Sequence, residues 1–208
     1  MCSVAWCGRY RMAGRGSLAG MMPYGDANAI VMDMAREVLP IARRTAVLAG
    51  VCGTDPFRLM DRFLEDVARA GFTGVQNFPT VGLIDGTFRA GLEETGMGYG
   101  LEVDMIGQAH QLGLLTCPYI FNEDDARAMT EAGADVLVPH MGLTISGSIG
   151  ASTALTLEQA ARRVQAMRDA AVQVRPDVLV LCHGGPIATP QDAQYIFDHT
   201  EGIAGFFG

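Results

Sequence analysis

Two stretches of the chain end an apolar run on an imidazole. One reads VLVLCHGGP and delivers His183, Gly184 and Gly185; the other reads ADVLVPHMG and delivers His140. A loop that only turns the chain needs Gly and Pro alone, so a histidine there points to acid, base or ligand chemistry near neutral pH. Gly184 and Gly185 expose backbone N–H groups that can hold a phosphate or carboxylate. The bland alternative is that the pair only makes the turn and His183 bonds the backbone. Arg9 and Arg11, in GRYRMAGRGS, suit a two-pronged grip on the same kind of anion; a solvated basic loop is the alternative.

Further candidates flank these. Asn77 closes the apolar stretch GVQN, and a buried amide needs a partner, which a substrate oxygen could supply. The Gly-rich segment 82–99 is long for a connection and carries Glu93 and Glu94. Glu94 or Glu93 can act as general acid/base or as a Mg²⁺ ligand. The alternative makes 88–95 a short surface helix with solvated acids. Asp55, before Pro56, reads either as a helix cap or as an acid at the site. The small-residue stretch 144–152 reads as an anion-binding loop or a plain connection. The 4 histidines do not sit at paired zinc-ligand spacing. There is no serine-centred nucleophile elbow and no dinucleotide fingerprint after a strand.

The elements that would position these residues alternate. Apolar runs lie at 3–6, 45–51, 74–77, 115–121, 135–140, 178–183 and 203–207. Helical spacing or helix-start signals lie between them, at 26–38, 55–70, 99–112, 123–132, 156–173 and from 189. Parallel strands require crossovers, so this order predicts a parallel sheet covered on both faces. The repeated helix-end, tight-turn and buried-strand pattern, as in AGADVLV (132–138), favours a (β/α)8 TIM barrel, with the candidates at the C-terminal ends of its strands. Seven apolar runs fall one short of eight. The expectation is an incomplete barrel spanning 1–208 as one domain, with a first βα unit and a last helix missing. Open sheet edges would then favour self-association into a homo-oligomer.

Composition narrows the classes. The 208 residues are 49% hydrophobic and 18% charged, which suits a globular chain. A net charge of −8 does not attract nucleic acid or anionic lipid. No run is long enough to span a membrane helically, and no signal-peptide pattern opens the chain. The 5 cysteines lack CxxC pairs and read as reduced thiols in a cytoplasmic protein.

The segments GVQNFPTVGLIDGTFRAGLEETGMGYGLEVDMIGQAH (74–110) and AGADVLVPHMGLTISGSIG (132–150), with GRYRMAGRGSLAGMMPYGDANAIV (8–31) and LAGVCGTDPF (48–57), resemble the phosphoenolpyruvate hydrolase-like TIM-barrel family. That barrel type also forms the C-terminal part of tobamovirus-resistance proteins of tomato. The resemblance implies a place near phosphoenolpyruvate- and pyruvate-using barrels, with hydrolase or lyase chemistry on a small phosphorylated or oxo-acid substrate. It carries over no catalytic residues. A non-catalytic ligand-sensing or protein-interaction barrel is the other reading.

Overall fold

The computed structural model describes residues 2–5, 25–144 and 155–208. The chain forms two compact units, 1–118 and 119–208. Each is built on a four-stranded sheet with every strand pair parallel.

In the first unit, β1 (Cys2–Ala5), β2 (Ala46–Val51), β3 (Gly74–Asn77) and β4 (Leu115–Thr116) lie side by side in chain order. Among the described residues, α1 (Ala27–Val38), α2 (Met60–Ala70), α3 (Gly86–Glu94) and α4 (Gly100–Gln111) connect them. In the second unit, β5 (Tyr119–Ile120), β6 (Val136–Pro139), β7 (Leu179–Cys182) and β8 (Gly205–Phe206) alternate with α5 (Glu123–Glu131), α6 (Leu157–Val174) and α7 (Pro190–Asp198).

All seven apolar runs contain strand, but they make eight strands. The run 115–121 is broken into β4 and β5 at Cys117–Pro118. Cys117 N–H still donates to Val75 O at 3.0 Å; Pro118 has no N–H to continue the ladder. The boundary between the units falls at the same place.

The helix starts follow their local chemistry. Thr156 and Thr189 each cap a helix: the side-chain oxygen accepts from the N–H of the third helical residue, Gln159 or Asp192, and the Thr backbone N–H donates back to that residue's side-chain oxygen. Asn122 caps α5, whose first turn holds Glu123, Asp124 and Asp125. Gly71 directly after α2, and Gly133 just past Ala132 at the end of α5, adopt positive φ, where other residues are strained. The expectation of a helix over 55–70 is corrected: α2 begins at Met60. Asp55 is not its cap. It accepts from Phe57 N–H at 2.9 Å, from Asn28 at 2.9 Å and from Arg58 at 2.5 Å. Asp55 thus closes a tight turn and ties it to α1. Asn28 completes the tie by accepting from Cys52 N–H at 2.9 Å.

Candidate functional site

The register of the second unit sets His140 and His183 opposite each other, just past the ends of β6 and β7. Met141 N–H donates to His183 O at 2.9 Å, extending the ladder beneath them. One step beyond the pairs Ile120–Pro139 and Cys182–Phe206, Phe121 and Phe207 fall in the same row. Four aromatic rings thus lie across four neighbouring strands at their C-terminal edge, and Tyr119 joins them from two residues back on β5. The two imidazole centroids are 4.9 Å apart, edge to face. Tyr119 lies 5.0 Å from His140 and 5.1 Å from His183. Phe121 is 5.5 Å from His140, and Phe207 is 5.6 Å from His183.

Backbone bonds hold the two rings in opposite tautomers. His140 Nδ1 accepts from Gly142 N–H at 3.1 Å, so the proton of the neutral ring sits on Nε2. His183 Nδ1 lies 2.7 Å from Phe207 O. A carbonyl can only accept, so Nδ1 carries the proton there and Nε2 is the ring's acceptor. His140 is 7% exposed. Burial, reinforced by His183 nearby, lowers its pKa to about 3, so it stays neutral at any physiological pH. In their neutral forms the two rings therefore carry their protons on opposite nitrogens, Nε2 in His140 and Nδ1 in His183.

Gly184 and Gly185 have a packing reason for being glycine. Both have positive φ, and a Cβ would sit 2.6 Å from Gly142 O at the first and 2.3 Å from Met141 O at the second. Gly185 N–H donates to Gly142 O at 2.8 Å. The expectation that it offers its N–H to an anion is corrected: that donor is spent on pinning the loop under His140. Arg9 and Arg11 lie outside the described residues, as does nearly all of the 144–152 loop.

In the first unit the polar side chains have a different destination. Asn77 is fully buried and donates from Nδ2 to Glu102 at 2.6 Å. Glu102, on α4, is also fully buried and accepts from Thr80 Oγ1 at 2.7 Å and from Val81 N–H at 2.8 Å. The partner Asn77 needs is thus an internal carboxyl. Burial outweighs the three donors and raises the Glu102 pKa to about 7. Sequence reasoning missed Glu102, although a signal existed: the buried residues of α4 are Glu102, Met105, Ile106 and Ala109, an i, i+3, i+4, i+7 stripe with the acid at its head. Gln76, next to Asn77, was missed as well. It is fully buried, and neither its Nε2 nor its Oε1 has a hydrogen-bond partner, at a cost on the order of 1–3 kcal/mol per group.

The loop acids separate. Glu93 accepts from Arg89 at 2.7 Å and from Tyr99 N–H at 3.0 Å; these bonds, the backbone one foremost, lower its pKa. Glu94 is exposed at the last position of α3, the short surface helix of the alternative reading. Among the described residues, no three of His, Cys, Asp and Glu come together as a metal-holding group. No described helix is long and apolar enough to cross a membrane.

Parallel strands, connecting helices and a histidine pair at the strand ends define an α/β protein of the TIM-barrel class, and known structures agree. FabK from Thermotoga maritima matches at TM-score 0.55 and 12% identity, over 88% of this chain and 47% of that one. A 2,3-dimethylmalate lyase, described as a PEP mutase/isocitrate lyase superfamily member, matches at TM-score 0.51 and 10% identity, over 88% of this chain and 62% of that one. Such identities bear on fold alone. The family is shown by sequence: the phosphoenolpyruvate hydrolase-like family matches residues 2–208, and the chain belongs to it. The ToMV susceptible protein tm-1(GCR26) and the ToMV resistance protein Tm-1(GCR237) of Solanum lycopersicum are each 64% identical over 201 residues. Those residues are 97% of this chain and 27% of each tomato protein, so the chain spans about a quarter of their length.

Proposed function

We propose that this chain is an enzyme acting on a small anionic substrate, an oxo acid or a phosphorylated acid, by hydrolysis or lyase chemistry of the phosphoenolpyruvate- and pyruvate-related kind. The observation that carries this reading is the His140–His183 pair with its opposite tautomers. His140 Nε2–H polarises a carbonyl or enol oxygen of the substrate. His183 Nε2 takes, and later returns, the proton that moves as a bond beside that oxygen breaks. The rings of Tyr119, Phe121 and Phe207 wall the pair and limit water. Arg9 and Arg11 are proposed to hold the anionic group; Gly184 contributes through the turn that seats His183. A requirement for Mg²⁺ is part of the screen below.

The test is a thermal-shift screen of the purified chain against phosphoenolpyruvate, oxaloacetate, sugar phosphates and phosphate, each with and without Mg²⁺. A ligand of the native state raises the melting point by mass action. The reading expects a shift with one class, followed by turnover that His183→Gln abolishes. Uniform absence of shifts with a cooperative melt would sink it.

A second reading is supported by two observations. The tomato relatives bear names of virus resistance and susceptibility. Phe57 is 91% exposed and Leu59 74% exposed, and such apolar surface suits an interaction barrel or a homo-oligomer. Sedimentation of the chain against a Phe57→Ser/Leu59→Ser variant separates self-association from binding of another protein. A reducing, cytoplasmic setting is part of this reading, with the cysteines as reduced thiols.

A further inference from the structure

Gln76 is an anomaly of the first unit. Asn77 turns toward Glu102 on α4, so strand alternation sends Gln76 to the opposite face of the sheet. There the register sets it beside Gly50 of β2. One step beyond the pair Val75–Thr116, Cys117 lies on its other side. Glycine offers no side-chain partner, and a thiol is a weak one. The side chain is fully buried with both amide atoms unpaired. A buried water needs two to four polar partners, and among the described residues this row adds only glycine and a thiol to Gln76 itself. A ligand brings its own partners. The position also suits one, since parallel strands collect ligands at their C-terminal ends and Gln76 is the penultimate residue of β3.

We propose that Gln76 is the recognition residue of a small-ligand subsite in the first unit. Its ligand presents a hydrogen-bond acceptor and a donor side by side, as a primary carboxamide does. Two parallel bonds then pair Nε2 with the ligand's oxygen and Oε1 with its N–H. A carboxylate or phosphate is the wrong complement: it accepts from Nε2 but sets an anion against Oε1. The subsite therefore selects a neutral group, and it stands independently of the chemistry assigned to the histidine pair.

The experiment uses the full chain labelled with ¹⁵N. The side-chain amide pair of Gln76 is assigned by its disappearance in Gln76→Met, a variant of similar shape with no donor or acceptor of comparable strength. Wild type and variant are titrated with lactamide and benzamide, and with lactate and benzoate as the charged isosteres. An amide should move the Gln76 pair saturably and raise the melting point, and Gln76→Met should weaken that binding about tenfold or more. The acids should do neither. The proposal is overturned if neither amide moves the resonance, if the acids move it equally, or if Gln76→Met binds the amides as well as wild type. Should Gln76→Met not fold, the resonance is assigned in wild type through its own side-chain carbons, and the titration still decides.

Discussion

Two polar clusters follow strand ends in this chain, and they are built on opposite plans. After β3, Glu102 collects three donors inside a sealed interior, from Asn77, Thr80 and Val81. After β6 and β7, His140 and His183 each have a ring Nδ1 bonded to backbone, by Gly142 and to Phe207, with aromatic rings around them. The first cluster spends its hydrogen bonds on itself and fixes the loop after β3. The second sets two rings in complementary tautomers. Burial alone does not separate structure from chemistry, since Glu102 and His140 are both buried. What separates them is whether the polar atoms satisfy one another.

The largest expected effect belongs to the histidines. Replacing His183 with Gln should reduce turnover on the substrate found by the screen about 10²–10⁴-fold, the usual worth of a positioned acid or base. The melting point should stay close to wild type. Full activity in His183→Gln would erase the contrast. For Glu102 the pattern should reverse, with stability lost first. Glu102→Ala strands three buried donors and should lose about 3–5 kcal/mol in urea unfolding. Glu102→Gln keeps an acceptor and should lose about half of that. A Glu102→Ala protein as stable as wild type would show that the cluster is no structural lock.

The two plans also predict opposite responses to pH. Glu102 is raised from 4.5 to about 7. In that window the folded state holds more protons than the unfolded one, so its contribution is present in acid and is lost as pH rises through the folded value. His140 is lowered from 6.5 to about 3. The folded state there holds fewer protons, so stability is present above the unfolded value and is lost as pH falls. Each slope is at most about 1.4 kcal/mol per pH unit. Between about pH 5 and 6.5 they should nearly cancel in wild type. Urea midpoints across that range should fall on acidification in Glu102→Gln and rise on acidification in His140→Gln. Parallel curves for the two variants would mean that the opposed groups have been misassigned.

Much of this was legible in sequence. An apolar run with an imidazole at its end marks a strand terminus, and His140 and His183 both lie there. That their rings meet is a matter of register, set by the pairing of β6 with β7, which no local pattern encodes. The same register aligns Phe121 and Phe207, which also follow strand ends but carry no titratable group to single them out in sequence. Glu102 was hidden because its neighbours Leu101 and Val103 drew the apolar face one residue off; Leu101 is 39% exposed, and the acid occupies the buried stripe. Asn77 was legible as a buried amide in need of a partner, but that partner lies on a helix 25 residues on. The cap reading of Asp55 failed because a tight turn and a helix cap use the same carboxylate-to-N–H bond.

The smallest effect sharpens the comparison from outside both clusters. Glu93 and Glu94 are adjacent, yet only Glu93 is tied down, to Arg89 and to Tyr99 N–H. A Cβ at Gly98 would lie 1.7 Å from the Glu93 carboxylate, so the 96–99 turn is shaped around that side chain. Glu93→Gln should therefore cost about 0.5–1.5 kcal/mol in urea unfolding by weakening those bonds. Glu94→Gln, on the exposed end of α3, should stay within about 0.5 kcal/mol and leave turnover unchanged. A drop in turnover of tenfold or more in Glu94→Gln would return this glutamate to the reaction. It would also show that an exposed acid on a short helix takes part in the chemistry assigned here to the row of rings.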